Sequence, residues 1–277
     1  MLIVLLGFAI LVLLSPLVID TVWRRRLTAE THIEIERGLT SSDTLIVYLP
    51  GILASARTSS IDLINVWRLH GDVMLVEYGN ERFIGPRCVQ VVAEVICRQN
   101  VTKTYHHISF IGASMGGLLA YDIIQKLALG NIASIDLIVL DAPTSNNDFQ
   151  GYRRLIAPLL LVLLFGPIWN RFNLIARVSD HSKEFKLSFW RDQLTYIMSH
   201  GAPKSDSLKG LVNRLVYIRS TRDHDIVNKE ASLIWLATMS NSMIMEVDST
   251  HVGFAECPET WRSAFERIYD VKRDRVN

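Results

Sequence analysis

The sequence is poor in cysteine and almost neutral in charge. Its three cysteines, Cys88, Cys97 and Cys257, are odd in number, and none stands at a spacing typical of a metal site. They therefore indicate reduced thiols in a reducing compartment rather than a disulfide framework. With 29 basic and 28 acidic residues, the net charge of +1 gives no reason to expect nucleic acid or a strongly acidic partner.

The chain also lacks the short motifs of several large enzyme classes. It contains no glycine-rich phosphate loop, no dinucleotide-binding fingerprint, no pair of catalytic carboxylates and no histidines at metal-ligand spacing. Internal repeats and low-complexity segments are absent as well. We therefore expect no cofactor and no metal. The length of 277 residues suffices for one large domain with a sizeable core, or for two small ones.

Charge is missing from one N-terminal stretch, which contributes to the high mean hydropathy of +0.22. Residues 2–19 are uncharged and, as a helix, would be roughly 27 Å long, just enough to span a bilayer. Trp23 and the three arginines at 24–26 follow this run, which reverses the order of a secretory signal. We predict that residues 1–23 are a single-pass membrane anchor that keeps residues 24–277 on the cytoplasmic side. A cleaved signal peptide and a buried core helix are the alternatives.

From residue 31 onward, segments typical of strands alternate with segments typical of helices. The strand segments are rich in β-branched residues, which indicates an α/β protein with a mostly parallel sheet covered by helices on both faces. The predicted strands are residues 31–37, 44–49, 73–78, 107–111, 135–140, 215–219 and 242–247, and the predicted helices are residues 60–69, 86–99, 115–129, 228–239 and 258–269.

A serine flanked by glycines lies where one predicted strand meets the next helix. Residues 112–116 read Gly-Ala-Ser-Met-Gly and fit the pattern Gly-x-Ser-x-Gly. The small residues let strand and helix approach each other while the serine occupies a strained turn above the sheet. The backbone amide of Met115 would then point to the place where an oxyanion forms. We predict Ser114 as a nucleophile; the alternative is an ordinary strand-to-helix turn.

A serine nucleophile needs a base, and the base needs an acid that orients it. His251 lies between the last predicted strand and the last predicted helix, and therefore at the carboxyl edge of the sheet. Asp223 follows the preceding strand, residues 215–219, and is the predicted acid. Asp225 and Asp141 are the alternatives for this role.

These residues together resemble the α/β-hydrolase fold superfamily over residues 44–270. The likeness rests on the serine motif, the Asp223 loop and His251, in the chain order typical of these enzymes. It implies a serine esterase or lipase-like enzyme, in which the serine attacks an acyl carbon and the histidine transfers the proton. It also implies a second oxyanion amide at Ile52, although Pro50 stands where many members have histidine.

The resemblance further implies a cap or lid insertion at about residues 144–210, where the regular alternation is lost. Residues 155–169 of this region are uncharged and flanked by arginines. They fit either a buried cap helix or a hydrophobic lid in the membrane interface. We reject a second membrane span, because it would place His251 on the opposite side from Ser114. An amphipathic helix is expected over residues 183–200.

The anchor and the apolar cap together indicate a substrate drawn from the bilayer. We therefore expect a membrane-anchored serine hydrolase that cleaves carboxylic esters with apolar acyl groups, such as lipid esters. The expected partners are this ester and the membrane, with no nucleic acid. An acyltransferase that uses the same triad and a non-catalytic binding protein with this fold are the alternative functions.

Overall fold

The computed structural model describes residues 30–40, 42–52, 54–79, 82–127, 134–144, 187–223, 227 and 229–273. Three predictions fall outside these residues: the anchor at 1–23, the apolar segment at 155–169 and the alternative acid Asp225. Among the helices that the structure describes, none combines the length and the apolar character needed to cross a membrane.

Seven strands form one sheet in the described part of the chain, in the order β1-β3-β2-β4-β5-β6-β7. Only β1 runs antiparallel to its neighbour β3; every other pair is parallel. The carboxyl ends of the parallel strands therefore meet at one edge of the sheet. The strands are β1 (Thr31–Glu36), β2 (Thr44–Leu49), β3 (Asp72–Tyr78), β4 (His107–Ala113), β5 (Ser134–Leu140), β6 (Arg214–Ser220) and β7 (Ser242–Val247).

Helices cover both faces of this sheet, so that the strands are buried between two layers. Successive residues of β2 point to opposite faces: Leu45 and Val47 belong to one core, and Ile46 and Tyr48 to the other. The helices of the described residues are α1 (Ala56–Ser59), α2 (Ile64–Arg68), α3 (Gly85–Thr102), α4 (Met115–Leu127), α5 (Leu187–Ser199), α6 (Glu230–Leu236) and α7 (Pro258–Arg273). The first core is closed by α3 to α6, and the second by α1, α2 and α7.

The predicted α/β class is confirmed in the described residues: all seven predicted strands are present, and the sheet is mostly parallel with helices on both faces. Most of the predicted cap or lid insertion, residues 145–186, lies outside the described residues. The predicted helix over residues 60–69 is wrong in its first half. The chain instead forms the short helix α1 first, and residues 60–63 make a turn before α2. Ser55 caps α1 by accepting a hydrogen bond from the amide of Thr58, and Ser60 Oγ donates to the carbonyl of Ala56 at 2.6 Å. Such local side-chain bonds compete with helix continuation.

Candidate active site

Ser114 occupies the turn between β4 and α4 in the left-handed backbone region. Its φ is 50°, and its side chain is buried. The amide of Ser114 donates to the carbonyl of Leu140 at 2.7 Å, and its carbonyl accepts from the amide of Gly117 at 3.0 Å. A residue other than glycine is strained in this region, and such strain is typical of a serine held at the apex of a strand-to-helix turn.

Three glycines around this turn make the close approach of strand and helix possible. A Cβ atom on Gly112 would lie 2.6 Å from the backbone oxygen of Gly116. A Cβ on Gly116 would lie 2.0 Å from the carbonyl oxygen of Leu49, and one on Gly117 would lie 2.6 Å from the Cβ of Ala142. All three positions are therefore closed to any side chain unless the backbone moves.

We expect Gly116→Ala to lower the free energy of unfolding by about 3 kcal/mol or more, because the new methyl group meets a backbone oxygen that cannot rotate away. Thermal or urea unfolding of the purified chain measures this change. Gly201→Ala is the matched control, since a Cβ at Gly201 has no atom within 4 Å, and its effect should stay within about 0.5 kcal/mol. Equal stability of the two variants would contradict the expectation.

His251 and Asp223 meet on the loops that follow β7 and β6. The Nδ1 atom of His251 lies 2.6 Å from Oδ2 of Asp223. Both side chains are largely enclosed, with 16% and 4% of their surfaces exposed. A neutral imidazole that donates from Nδ1 keeps Nε2 as an acceptor, which is the tautomer that a general base requires.

The loop after β7, residues 248–257, carries His251 and is called the histidine loop. It lies at the same edge of the sheet as Ser114. The amide of Ser114 is bonded to the last residue of β5, and the next residue, Asp141, accepts a hydrogen bond from the amide of Val252, beside His251. Ser114 Oγ has no hydrogen-bond partner in the described part of the chain. The Ser–His hydrogen bond is therefore not formed here, and in free enzymes such bonds are often long.

The segments that carry the two predicted oxyanion donors, Met115 and Ile52, both come close to Ser114. Met115 is the first residue of α4, and the first amides of a helix have no acceptor within the helix. Ile52 belongs to the loop after β2, and a Cβ built on the neighbouring Gly51 would lie 3.2 Å from the Cβ of Ser114. The amides of Met115 and Ile52 therefore remain the predicted oxyanion donors.

A second carboxylate, that of Asp141, lies close to both His251 and Asp223. One carboxylate oxygen each from Asp141 and Asp223 and one ring nitrogen of His251 all lie within 4.8 Å of one another. The sequence indicated Asp141 only as an alternative acid, because an acid at a strand end carries no sign of its distant partners. Its contacts with Ser220 and Val252 come from the folded chain alone.

No protein-family model and no curated protein matches the chain. Solved structures do match it. A lipase-esterase related protein from Clostridium acetobutylicum superposes with a TM-score of 0.64 at 14% identity, over 86% of this chain and 98% of that one. A hydrolase from Pseudomonas aeruginosa gives 0.61 at 13% identity, over 86% and 93%. The meta-cleavage product hydrolase of Pseudomonas fluorescens gives 0.61 at 13% identity, over 88% and 95%. The chain has the α/β-hydrolase fold.

Within this α/β-hydrolase fold, the electrostatics of the site favour a positively charged histidine. Burial lowers the pKa of His251, but the hydrogen bond to Asp223 and the charges of Asp141 and Asp223 raise it, so that the pKa lies above its ordinary value. Burial raises the pKa of Asp141 despite the charge of His251 and the hydrogen bonds from Ser220 and Val252, which lower it. His251 is therefore a stronger base than a free imidazole.

Asp141, Asp223 and His251 also form the group of side chains in the described residues that could offer three ligand atoms to a metal ion. Their hydrogen bonds weigh against that use of the site. The two carboxylate oxygens of Asp141 already accept three bonds from the protein, and Oδ2 of Asp223 is bonded to the ring of His251. The arrangement suits an oriented base in an α/β-hydrolase fold better than a metal centre.

Proposed function

We propose that the chain is a serine hydrolase that cleaves carboxylic esters through a triad of Ser114, His251 and Asp223. The observation that carries the proposal is the 2.6 Å contact between His251 Nδ1 and Asp223 Oδ2, at the sheet edge where Ser114 occupies its strained turn. A nucleophile, a base and an acid that orients the base are the parts that acyl transfer requires. Two structural neighbours, a lipase-esterase related protein and an esterase, are named for this reaction class.

The proposed reaction begins with attack of Ser114 Oγ on the acyl carbon, while its proton passes to Nε2 of His251. The resulting oxyanion accepts hydrogen bonds from the amides of Met115 and Ile52. As the bond to the alcohol breaks, His251 returns the proton to the leaving oxygen and an acyl-enzyme remains. Water then attacks the acyl-enzyme, with His251 again as base, and releases the acid and the free serine. Asp223 keeps the imidazole in one tautomer throughout.

The proposed substrate is an ester with an apolar acyl group, such as a monoacylglycerol or another lipid ester. This part of the proposal comes from the sequence: the uncharged residues 2–19 and 155–169 are suited to a membrane anchor and to an apolar cap or lid. An enzyme held at the cytoplasmic face of a membrane in this way would meet its substrate at the bilayer surface.

A fluorophosphonate probe tests the proposed nucleophile and substrate class together. We expect the probe to label the chain at Ser114, and micellar long-chain esters to slow the labelling more than short water-soluble esters. Ser109→Ala is the matched control, because Ser109 is a buried serine on β4, the strand that ends just before Ser114, and it should label like the unchanged chain. Absence of labelling would contradict the hydrolase, and preferential competition by short esters would contradict the lipid substrate alone.

Extraction of membranes with alkaline carbonate tests the proposed anchor. We expect the expressed chain to stay in the membrane pellet, and a variant that lacks residues 1–23 to be released, because an uncharged run of this length is held by the hydrophobic effect rather than by charge. Release of the intact chain into the supernatant would disprove the anchor.

A further inference from the structure

Asp141 lies at the end of β5, between the strand that carries Ser114 and the strand that leads to Asp223. Its amide donates to the carbonyl of Ile218 at 3.0 Å, and the carbonyl of Leu140, just before it, accepts from the amide of Ser114 at 2.7 Å. The side chain is only 1% exposed. Burial of a carboxylate is unfavourable unless it is paired and hydrogen-bonded, so the contacts of this group need an explanation.

The carboxylate of Asp141 binds both loops of the proposed triad. Oδ1 accepts from the amide of Ser220 at 2.7 Å, and Oδ2 accepts from the hydroxyl of Ser220 at 2.6 Å and from the amide of Val252 at 2.9 Å. Ser220 is the last residue of β6, and its carbonyl accepts from the amide of Asp223, so it begins the loop that carries the proposed acid (the acid loop, residues 220–223). Val252 follows His251 directly in the chain. One buried side chain thus ties the acid loop to the histidine loop.

The backbone is strained at both residues of the hydrogen bond between Val252 and Asp141. Val252 has a φ of 46° and Asp141 a φ of 45°, both in the left-handed region. This region is especially unfavourable for a β-branched residue such as valine. Strained conformations persist only where the surroundings hold them, and the bond from the amide of Val252 to Asp141 holds this one.

We propose that Asp141 is a positioning residue: by tying the acid loop to the histidine loop, it keeps His251 at the distance and angle at which Asp223 orients it. The inference rests on the proposed function, because it assigns a role within the same triad. Asp141 also acts through its charge, since one of its oxygens lies within 4.8 Å of a ring nitrogen of His251 and stabilises the imidazolium that forms during acyl transfer.

The carboxylates near His251 come from several segments of the chain. Asp141 faces it from the end of β5 and Asp223 from the acid loop. Asp248, on the loop before the histidine, pairs with Arg222 at 3.1 Å, and Glu256, beyond it, accepts a hydrogen bond from Thr250. Glu259, at the start of α7, pairs with Arg262. Asp141 and Asp223 are therefore the carboxylates whose removal should change the titration of His251.

Asp141→Asn tests the inference. We expect kcat/KM to fall by about 10²-fold, because a shift of about 1 Å at a catalytic group has an effect of this size. The asparagine also removes a negative charge, so the pKa of His251 falls and the acid limb of the pH profile moves to lower pH. The acid limb of the unchanged chain should lie above the ordinary histidine pKa of about 6.5. Initial rates of ester hydrolysis at several pH values give both kcat/KM and the position of the acid limb.

Asp136→Asn is the matched control. Asp136 lies on the same strand and is also buried, but its carboxylate binds Arg214 and lies near His107 at the opposite edge of the sheet. Its replacement should reduce stability while it leaves kcat/KM within about twofold and the acid limb unchanged. If Asp141→Asn behaves like Asp136→Asn, Asp141 is merely structural and the inference is overturned.

Two further measurements test the inference if the Asp141→Asn variant does not fold or if the proposed function fails. If Asp141→Asn does not fold, Ser220→Ala is the second variant, because it removes one hydrogen bond to the Asp141 carboxylate and keeps the charge of that carboxylate. We then expect kcat/KM to fall about tenfold with an unchanged acid limb. Wild-type activity of Ser220→Ala would overturn the inference. If the unchanged chain does not label, the proposed function fails. The titration of His251 by NMR, compared between the chain with and without Asp141→Asn, still tests the Asp141 contact without any activity.

Discussion

Replacement of Ser114 by alanine is expected to lower kcat/KM for an apolar ester by about 10⁴- to 10⁶-fold. The alanine fits the site, because Ser114 Oγ has no hydrogen-bond partner in the described residues that would be left unpaired. Only the nucleophile is lost, while the oxyanion amides and the binding surface remain. The residual rate should therefore still exceed that of the uncatalysed reaction.

The combination of Ser114→Ala with His251→Ala distinguishes a triad from two independent contributions. In the proposed mechanism Ser114 and His251 take part in the same proton transfer, so the double variant should be nearly as active as either single variant. Initial rates with a chromogenic ester, measured with the same preparations for which thermal unfolding is recorded, give the comparison. Ser109→Ala again serves as the control for loss of a buried hydroxyl. Effects that simply multiply, or an active Ser114→Ala variant, would disprove the triad.

The strands and the serine turn could be predicted because their signals are local. β2 and β5 are runs of β-branched and aliphatic residues, and such runs indicate strands buried on both sides. The glycines around Ser114 reflect a steric need that appears directly in the sequence, since a side chain at Gly116 would meet the backbone of Leu49. In a parallel sheet the loops after the last strands meet at one edge, so the positions of Asp223 and His251 also followed from chain order.

The turn at residues 60–63, in the first half of the predicted helix 60–69, could not be recognised from the spacing of apolar residues. Helical spacing is present there, but the serines at 55, 59 and 60 bond to nearby backbone groups and end the first turn. The serine hydroxyls compete with main-chain amides for the same carbonyls, and this competition depends on geometry that a pattern of apolar residues does not record.

The role of Asp141 was hidden for a different reason. Its partners Ser220 and Val252 lie 79 and 111 residues away in the chain, and no periodicity links such positions. The left-handed backbone of Val252 is also contrary to what a valine predicts. Conflict between a local preference and the folded state is expected at functional sites, and here it becomes visible only once the loops are assembled.

Replacement of Asp223 by asparagine is expected to lower kcat by about 10⁴-fold. The amide has nearly the same shape as the carboxylate, but it carries no charge to stabilise an imidazolium and can favour the tautomer in which Nε2 is protonated. The 2.6 Å contact with His251 Nδ1 is the one that this change alters. The pKa of His251 should fall as well, because both the hydrogen bond and the charge of Asp223 raise it. The measurements are kcat and the pH profile of kcat/KM.

Asp225→Asn is the matched comparison, since Asp225 is the alternative acid and stands two residues further along the sequence. If Asp223 orients the histidine, Asp225→Asn should keep kcat within a few-fold of the unchanged chain and leave the acid limb in place. The opposite ranking of the two variants would transfer the role to Asp225. Both changes remove one negative charge, so we would assign a difference of several orders of magnitude between two folded variants to the contact of Asp223 with His251.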